Sequence, residues 1–136
     1  NILVAGCGTG RDALVVAKNI LNSEVTAIDL SKSSLAYASM MANKYDVNNI
    51  NFLQADILEV EKIGQKYDFI ICGGVLHHME NPEAGLRSLL KVLHKNSPMK
   101  IGLYSKKARE HIVNIKENHI SHKDIITDVN AYYQDL

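Results

Sequence analysis

Three glycines at alternate positions follow a short apolar run near the start of the chain. The run is Ile2–Ala5, and the glycines are Gly6, Gly8 and Gly10. An apolar run of this length is typical of a buried parallel strand, and a helical pattern of apolar residues begins soon after the last glycine. Because glycine accepts positive φ and has no Cβ, a ligand can approach such a turn closely. The stretch therefore predicts a strand, a ligand-binding turn and a helix start.

The glycine spacing separates two kinds of nucleotide-binding turn. Dinucleotide-binding folds use Gly-x-Gly-x-x-Gly, whose last glycine would fall where this chain has Arg11. The observed Gly-x-Gly-x-Gly closely resembles the first motif of the class I S-adenosylmethionine-dependent methyltransferases. A glycine turn without a ligand is the alternative interpretation of this stretch alone. Thr9 and Asp12 also fit a capping box at the start of the helix.

Composition excludes several classes of function. The 136 residues suffice for one domain with a substantial core, and 15 basic residues balance 15 acidic ones. No charge excess favours nucleic acid or a membrane surface, and no apolar run is long enough to span a bilayer. Cys7 and Cys72 form no CxxC pair, which argues for reduced thiols in a cytoplasmic protein. Because the chain begins at Asn1, already at a strand edge, we expect it to be part of something longer.

Strand and helix patterns alternate along the chain. The predicted strands are Ile2–Ala5, Val25–Ile28, Ile50–Ala55, Tyr67–Cys72 and Met99–Tyr104. The predicted helices are Gly10–Leu21, a segment capped by Ser31, the short stretch Ile57–Gly64, a segment starting at Asn81 that buries Leu86, Leu89, Leu90 and Leu93, and two more over Lys106–Asn118 and His122–Tyr133. This alternation predicts an α/β fold, a doubly wound Rossmann-like parallel sheet in the order 3-2-1-4-5. We expect residues 1–136 to form a single domain.

Small or acidic residues stand at the carboxyl end of four predicted strands. They are Gly6, Asp29, Asp56 and Gly73. In an open parallel sheet this edge binds ligands, at the point where the strand order reverses. Asp29 is placed to accept hydrogen bonds from both hydroxyls of a ribose. The alternative for either aspartate is a structural role in capping its loop or the following helix.

The resemblance to class I methyltransferases covers about residues 1–105 and implies roles for particular residues. It implies that S-adenosyl-L-methionine is bound by Gly6, Cys7, Gly8, Thr9, Gly10, Asp29, Leu30, Asp56, Ile57 and Gly73. Asp56 would accept a hydrogen bond from the exocyclic amine of adenine. The backbone N–H of Ile57 would donate one to a ring nitrogen. Many members carry an acid where this chain has Ala5. The charge of the cofactor's ammonium group would therefore fall to the backbone carbonyls of Gly6 and Gly73.

The segment Gly73–Met79 resembles the family's fourth motif and the residues that border the acceptor pocket. His77 and His78 are candidate general bases, needed only if the acceptor must lose a proton early. Adjacent side chains cannot readily share one metal ion, so we predict no metal site. The alternative is that one histidine packs beside the cofactor and the other is exposed.

Two segments, Asp29–Ala38 and Gly102–Ser105, look most like the methyltransferase domains joined to tetratricopeptide repeats in bacteria. Full members of the family have two further strands. We therefore expect a sheet truncated before those strands, whose exposed fifth strand promotes self-association.

The sequence predicts an S-adenosylmethionine-dependent methyltransferase whose acceptor, a small molecule or a protein, is unknown. Two alternatives stay open. One is a regulatory or scaffold domain that binds the cofactor without catalysis. The other is an NAD-dependent oxidoreductase, which Arg11 disfavours.

Overall fold

The computed structural model describes residues 1–105. Within them, Asn1–Leu103 form one compact unit built on five strands. The strands are β1 (Ile2–Ala5), β2 (Val25–Asp29), β3 (Ile50–Gln54), β4 (Phe69–Gly73) and β5 (Met99–Gly102). The helices are α1 (Arg11–Asn19), α2 (Lys32–Lys44) and α3 (Pro82–Val92), with short 3₁₀ helices at Ile57–Ile63 and Leu76–His78. The two helices predicted beyond Ser105 lie outside the described residues.

All strand pairs of the sheet are parallel, in the order β3-β2-β1-β4-β5. This confirms the predicted topology. The chain moves outward from β1 to β3, crosses back to β4 on the other side of β1, and then moves outward again to β5. The strand order therefore reverses between β1 and β4, where Val4 pairs with Ile71. An open parallel sheet binds ligands outside the carboxyl ends of its strands at such a point.

The side chains of β1 alternate between two apolar layers. Ile2 and Val4 pack with residues of α1 and α2, whereas Leu3 and Ala5 pack with α3 and the first 3₁₀ helix. All four are buried. Because helices cover both faces, β1 has no polar position, which is why its sequence is a continuous apolar run.

The start of α1 differs from the prediction. Gly10, at φ 86°, is the N-cap, and no side chain caps the helix. The predicted capping box of Thr9 and Asp12 is therefore wrong, because a left-handed glycine alone turns the chain into the helix. The helix also ends at Asn19, earlier than predicted, and Leu21 beyond it is 87% exposed. An exposed Leu21 gains little from packing, so it does not stabilise a further turn.

The caps predicted for the other two helices are confirmed. The hydroxyl of Ser31 accepts a hydrogen bond of 3.2 Å from the N–H of Ser34, at the start of α2. The side-chain oxygen of Asn81 accepts one of 3.0 Å from the N–H of Ala84, at the start of α3. Both bonds satisfy an N–H group that has no partner within its helix.

The buried face of α3 is only partly as predicted. Leu89 is buried and Leu86 half-buried, but Leu90 is 52% exposed, and Val92 is buried. The buried face follows the helical spacing of Gly85, Ser88, Leu89 and Val92. Position 85 on this face is a glycine because a Cβ there would lie 2.6 Å from the sulfur of Met79. The predicted strand ends are also displaced by one or two residues at β3, β4 and β5.

Candidate functional site

Two adjacent pockets lie at the carboxyl ends of β1, β2 and β4. The first, here the loop pocket, has a volume of about 250 Å³ and is lined by Val4, Ala5, Gly6, Cys7, Gly8, Thr9, Arg11, Asp12 and Gly73. The second, the aspartate pocket, measures about 160 Å³ and is lined by Gly6, Asp29, Leu30, Ala55, Asp56, Ile57, Val75 and Met79. Gly6 belongs to both, so one elongated ligand could occupy the two together.

These pockets bring together all but one of the predicted cofactor-binding residues. The exception is Gly10, which packs against α2 instead. A larger groove, of about 440 Å³, lies between α1 and α2 and is lined mainly by apolar side chains. It contains none of the predicted strand-end residues, so the two smaller pockets are the candidate site.

Asp29, at the end of β2, holds the glycine loop in place. Its Oδ2 accepts a hydrogen bond of 2.8 Å from the N–H of Gly8, and its Oδ1 accepts one of 2.9 Å from the N–H of Ser31. A carboxylate has about four acceptor positions, so two bonds leave capacity for ligand hydroxyls. Asp29 therefore has a structural role and retains the capacity to bind a ligand.

Backbone bonds also fix the loop to β2. The N–H groups of Gly6 and Cys7 both donate to the carbonyl of Ile28, at 2.8 and 2.9 Å. The N–H of Gly10 donates to the carbonyl of Cys7 at 2.9 Å. Together with the Asp29 carboxylate, these bonds set the shape of the loop without a ligand, so binding need not order it.

The three loop glycines have different surroundings. A Cβ on Gly6 would lie 2.3 Å from the side chain of Val75, and one on Gly10 would lie 2.6 Å from the Cβ of Ala38. Gly8, at φ 51°, has no atom within 4 Å of its Cβ position. Gly6 and Gly10 are therefore required for packing, whereas Gly8 presents bare backbone to open space.

Asp56 caps the first 3₁₀ helix. Its Oδ1 accepts a hydrogen bond of 2.9 Å from the N–H of Leu58, and the following Ile57 is buried. The capping role that the sequence left open is thus present on one oxygen. Asp56 still lines the aspartate pocket, together with Asp29.

Both thiols of the chain are poor nucleophiles. Burial raises the pKa of Cys7 to about 11, and the charge of Asp29 acts in the same direction. Burial likewise raises the pKa of Cys72 to about 11. Neither forms a disulfide. Because the thiolate is the reactive form, these raised pKa values disfavour a nucleophilic role for Cys7, which lines the loop pocket.

His77 and His78 lie in the second 3₁₀ helix, directly after the loop that follows β4. His77 is half-buried and His78 exposed, and their ring centroids are 4.0 Å apart. Within residues 1–105, no group of three or more metal-binding side chains is close enough to share an ion. Neither histidine lines the loop pocket or the aspartate pocket.

Several residues that line the pockets have no predicted role in binding the cofactor. Val75 and Met79 form an apolar wall of the aspartate pocket, and Asp12 is the carboxylate of the loop pocket. Val75 and Met79 belong to the segment predicted to border the acceptor pocket, and the turn after β4 brings them to the aspartate pocket. The sequence predicts only a capping role for Asp12.

The chain is similar in sequence to known methyltransferases. A sequence profile described as a methyltransferase domain matches residues 1–134. A ubiquinone biosynthesis O-methyltransferase of Rickettsia typhi is 39% identical over 95 residues, covering 70% of this chain and 37% of that protein. The chain spans between 24% and 37% of the length of the first curated relatives that it matches.

Solved structures share the same architecture. A coclaurine N-methyltransferase bound to N-methylheliamine and SAH superposes with a TM-score of 0.67 at 29% identity, covering 74% of this chain and 29% of that chain. The [4+2]-cyclase SpnF gives a TM-score of 0.68 at 26% identity, covering 74% of this chain and 37% of that chain. Among residues 1–105, no helix is long and apolar enough to cross a bilayer.

Proposed function

This chain belongs to the methyltransferase domain family, and from that premise we propose that it binds S-adenosyl-L-methionine and transfers the methyl group to an acceptor. The observation that carries the proposal is the open space beside Gly8, whose backbone is held at φ 51° with no atom within 4 Å of a Cβ. A side chain at position 8 would occupy part of the loop pocket, which Gly8 lines. The hydrogen bond that the N–H of Gly8 donates to Asp29 holds this bare backbone in place.

The aspartate pocket suits the adenosine half of the cofactor. Its apolar wall of Ile57, Val75 and Met79 can pack against a purine ring. Asp29 would accept bonds from the ribose hydroxyls with the acceptor positions that Gly8 and Ser31 leave available. Asp56 would accept from the exocyclic amine of adenine, next to the backbone N–H of Ile57.

The loop pocket suits the methionine half. It adjoins the aspartate pocket at Gly6, and the backbone from Gly6 to Thr9 and the strand end at Gly73 form its walls. Gly6 lines both pockets, so it would contact a cofactor that occupies the two together. Leu30, which is 64% exposed, would border the adenosine half in the aspartate pocket.

When bound, S-adenosylmethionine supplies a methyl group on a sulfonium, which an acceptor lone pair can displace as the carbon–sulfur bond breaks. The chain's own contribution is to hold the reacting groups in line and to keep water from the site. His77 or His78 would take a proton from the acceptor atom where that atom must lose one early. Neither histidine is required for an acceptor that is already a good nucleophile.

A second candidate is a domain that binds the cofactor without transferring its methyl group. The likeness to a protein named for a cyclase reaction supports this candidate, because proteins of this fold are then not confined to methyl transfer. An NAD-dependent oxidoreductase is less supported, since Arg11 occupies the position of the third glycine.

The test is methyl transfer from methyl-labelled S-adenosylmethionine to small-molecule and protein fractions of a cell extract. We expect label to appear in one fraction with the wild-type chain and to be reduced by Gly8→Ala. Cofactor binding without transfer to either fraction would favour the regulatory or scaffold role. The acceptor fraction that takes the label would also assign its chemical class.

Several wider features are part of the same proposal. We infer a single methyltransferase domain over residues 1–136, in a cytoplasmic protein whose thiols stay reduced. Its placement among domains joined to tetratricopeptide repeats stays a prediction from the segments Asp29–Ala38 and Gly102–Ser105. We also propose self-association through β5, because Ile101 in the strand is 39% exposed and Leu103, directly after it, is 62% exposed. Within the described residues β5 pairs only with β4.

A further inference from the structure

Asp12 contributes the only carboxylate among the residues that line the loop pocket. A Cβ built on Gly73 would lie 3.6 Å from Asp12 Oδ2, so the carboxylate lies across from the end of β4. Within residues 1–105, the carboxylate of Asp12 has no hydrogen bond or ion pair. The loop pocket therefore contains a carboxylate that forms no direct pair with a described side chain.

The neighbouring residue adds a charge of the opposite sign. Arg11 also lines the loop pocket and forms no ion pair with Asp12. A cation and an anion side by side match the two charges of an α-amino acid, because its ammonium and carboxylate groups are attached to one carbon. Charge-assisted hydrogen bonds of this kind are stronger than bonds between neutral groups.

Because the loop pocket adjoins the aspartate pocket, Asp12 and Arg11 would lie at one end of a longer ligand that occupies both. The loop pocket meets the aspartate pocket at Gly6, where the other half of a nucleoside-containing ligand would begin. Resting on the proposed function for the identity of the cofactor, we propose that Asp12 binds its α-ammonium group. Asp12 thereby makes the site selective for nucleosides that carry an amino acid over those that do not. The ammonium group would then be bound by a side chain, whereas the family resemblance implies binding by the backbone carbonyls of Gly6 and Gly73.

The test compares two ligands that share the adenosine and the thioether. S-adenosylhomocysteine has the amino acid end, and 5′-methylthioadenosine lacks it. For Asp12→Asn, we expect the affinity for S-adenosylhomocysteine to fall by about 10-fold or more, and the affinity for 5′-methylthioadenosine to stay within about twofold. Asp12→Glu, which restores the charge on a longer side chain, should recover part of the loss.

Glu24→Gln is the matched control, since Glu24 is an exposed carboxylate that precedes β2, at the opposite edge of the sheet. It should change neither affinity. Equal losses for both ligands, or no loss for S-adenosylhomocysteine, would overturn the role of Asp12 while leaving the cofactor assignment intact. A wild-type chain that binds neither ligand would instead overturn the proposed function itself, and the role of Asp12 with it.

Discussion

The Asp29 carboxylate, at the end of β2, accepts a hydrogen bond of 2.8 Å from the backbone N–H of Gly8, in the loop that follows β1. This bond joins the ends of two neighbouring strands across the candidate site. The second carboxylate oxygen accepts from Ser31, at the start of α2. One side chain therefore positions both the glycine loop and the next helix, and a change there acts on the fold and on the site together.

Asp29→Ala should lower both stability and affinity. Two half-buried N–H groups lose their acceptor, so we expect the free energy of unfolding to fall by about 2 kcal/mol. Affinity for S-adenosylmethionine should fall by about 1.5 to 3 kcal/mol or more, since the loop and the ribose contact are lost together. Denaturant unfolding and calorimetry measure the two effects.

Asp56→Ala is the control, because that carboxylate accepts one backbone bond where Asp29 accepts two. Its cost in unfolding free energy should be about half as large. A cofactor analogue without ribose hydroxyls separates the two roles of Asp29. If Asp29→Ala left the affinity for that analogue fully intact, the loop-holding role would be wrong.

Gly10→Ala should destabilise the fold rather than act through the site alone. The new Cβ would lie 2.6 Å from the Cβ and 3.2 Å from the Cα of Ala38, at a backbone φ of 86°. Overpacking and left-handed strain each cost about 1 kcal/mol or more, so we expect a loss of about 2 to 4 kcal/mol. Thermal or denaturant unfolding measures it.

The partner substitution Ala38→Gly tests the cause. It should cost about 1 kcal/mol in the wild-type background because glycine disfavours helices. In the Gly10→Ala background it should recover stability, since it removes the atom that clashes. Strictly additive costs would show that packing against α2 is not the reason for the glycine.

The cysteines should resist thiol reagents in the native chain. With the pKa of Cys7 and of Cys72 each raised to about 11, roughly one thiol in a thousand is ionised at pH 8. Labelling with a disulfide reagent should be slow in buffer and rapid in denaturant. Rapid labelling of the folded protein at pH 8 would contradict the burial of these groups.

The same shifts predict a stability change at high pH. Because burial raises the pKa of both thiols in the folded chain above the ordinary value of 9.0, the thiols of the unfolded chain lose their protons first. Stability is therefore full below about pH 9 and decreases as the pH rises toward 11. Replacing both cysteines by alanine should flatten this part of the pH profile, and an unchanged slope would assign it to other groups.

Self-association through β5 predicts a selective effect of surface charge. Ile101→Lys places a cation on the exposed strand and should reduce any dimer seen by light scattering at high concentration. Leu21→Lys is the control, because Leu21 is 87% exposed but lies beyond α1. Equal effects of the two changes would point to general solubility, and a monomer at all concentrations would remove the proposal.

The sheet could be predicted almost completely from the sequence, whereas the contacts within the site could not. Apolar runs and alternating periodicities determine strand order, because crossovers are right-handed and both sheet faces must be covered. The dual role of Asp29 depends on a residue 21 positions away along the chain, Gly8. The contact between Gly6 and Val75 likewise forms only when β1 and β4 become neighbours.

Two predictions from local sequence patterns were wrong, one for the cap of α1 and one for the buried face of α3. Thr9 and Asp12 match a capping pattern, but the left-handed Gly10 starts α1 without a cap. Leu90 fits the apolar spacing of α3, yet the buried face runs through Ser88 and Val92. Ser88 is tolerated there because its hydroxyl donates a 3.1 Å hydrogen bond to the carbonyl of Leu58.

The most direct test of the site is a calorimetric titration with S-adenosylmethionine of the wild-type chain, Gly8→Ala and Gly64→Ala. Both glycines have positive φ, at 51° and 72°, and neither has an atom within 4 Å of its Cβ position, but only Gly8 lies in the loop pocket. Each substitution should therefore cost a similar free energy of unfolding, about 1 kcal/mol. We expect the wild-type chain and Gly64→Ala to bind equally well, and Gly8→Ala to bind about 10-fold or more weakly. Equal binding by all three chains, or tighter binding of NAD by the wild type, would contradict the assignment of the glycine loop to S-adenosylmethionine.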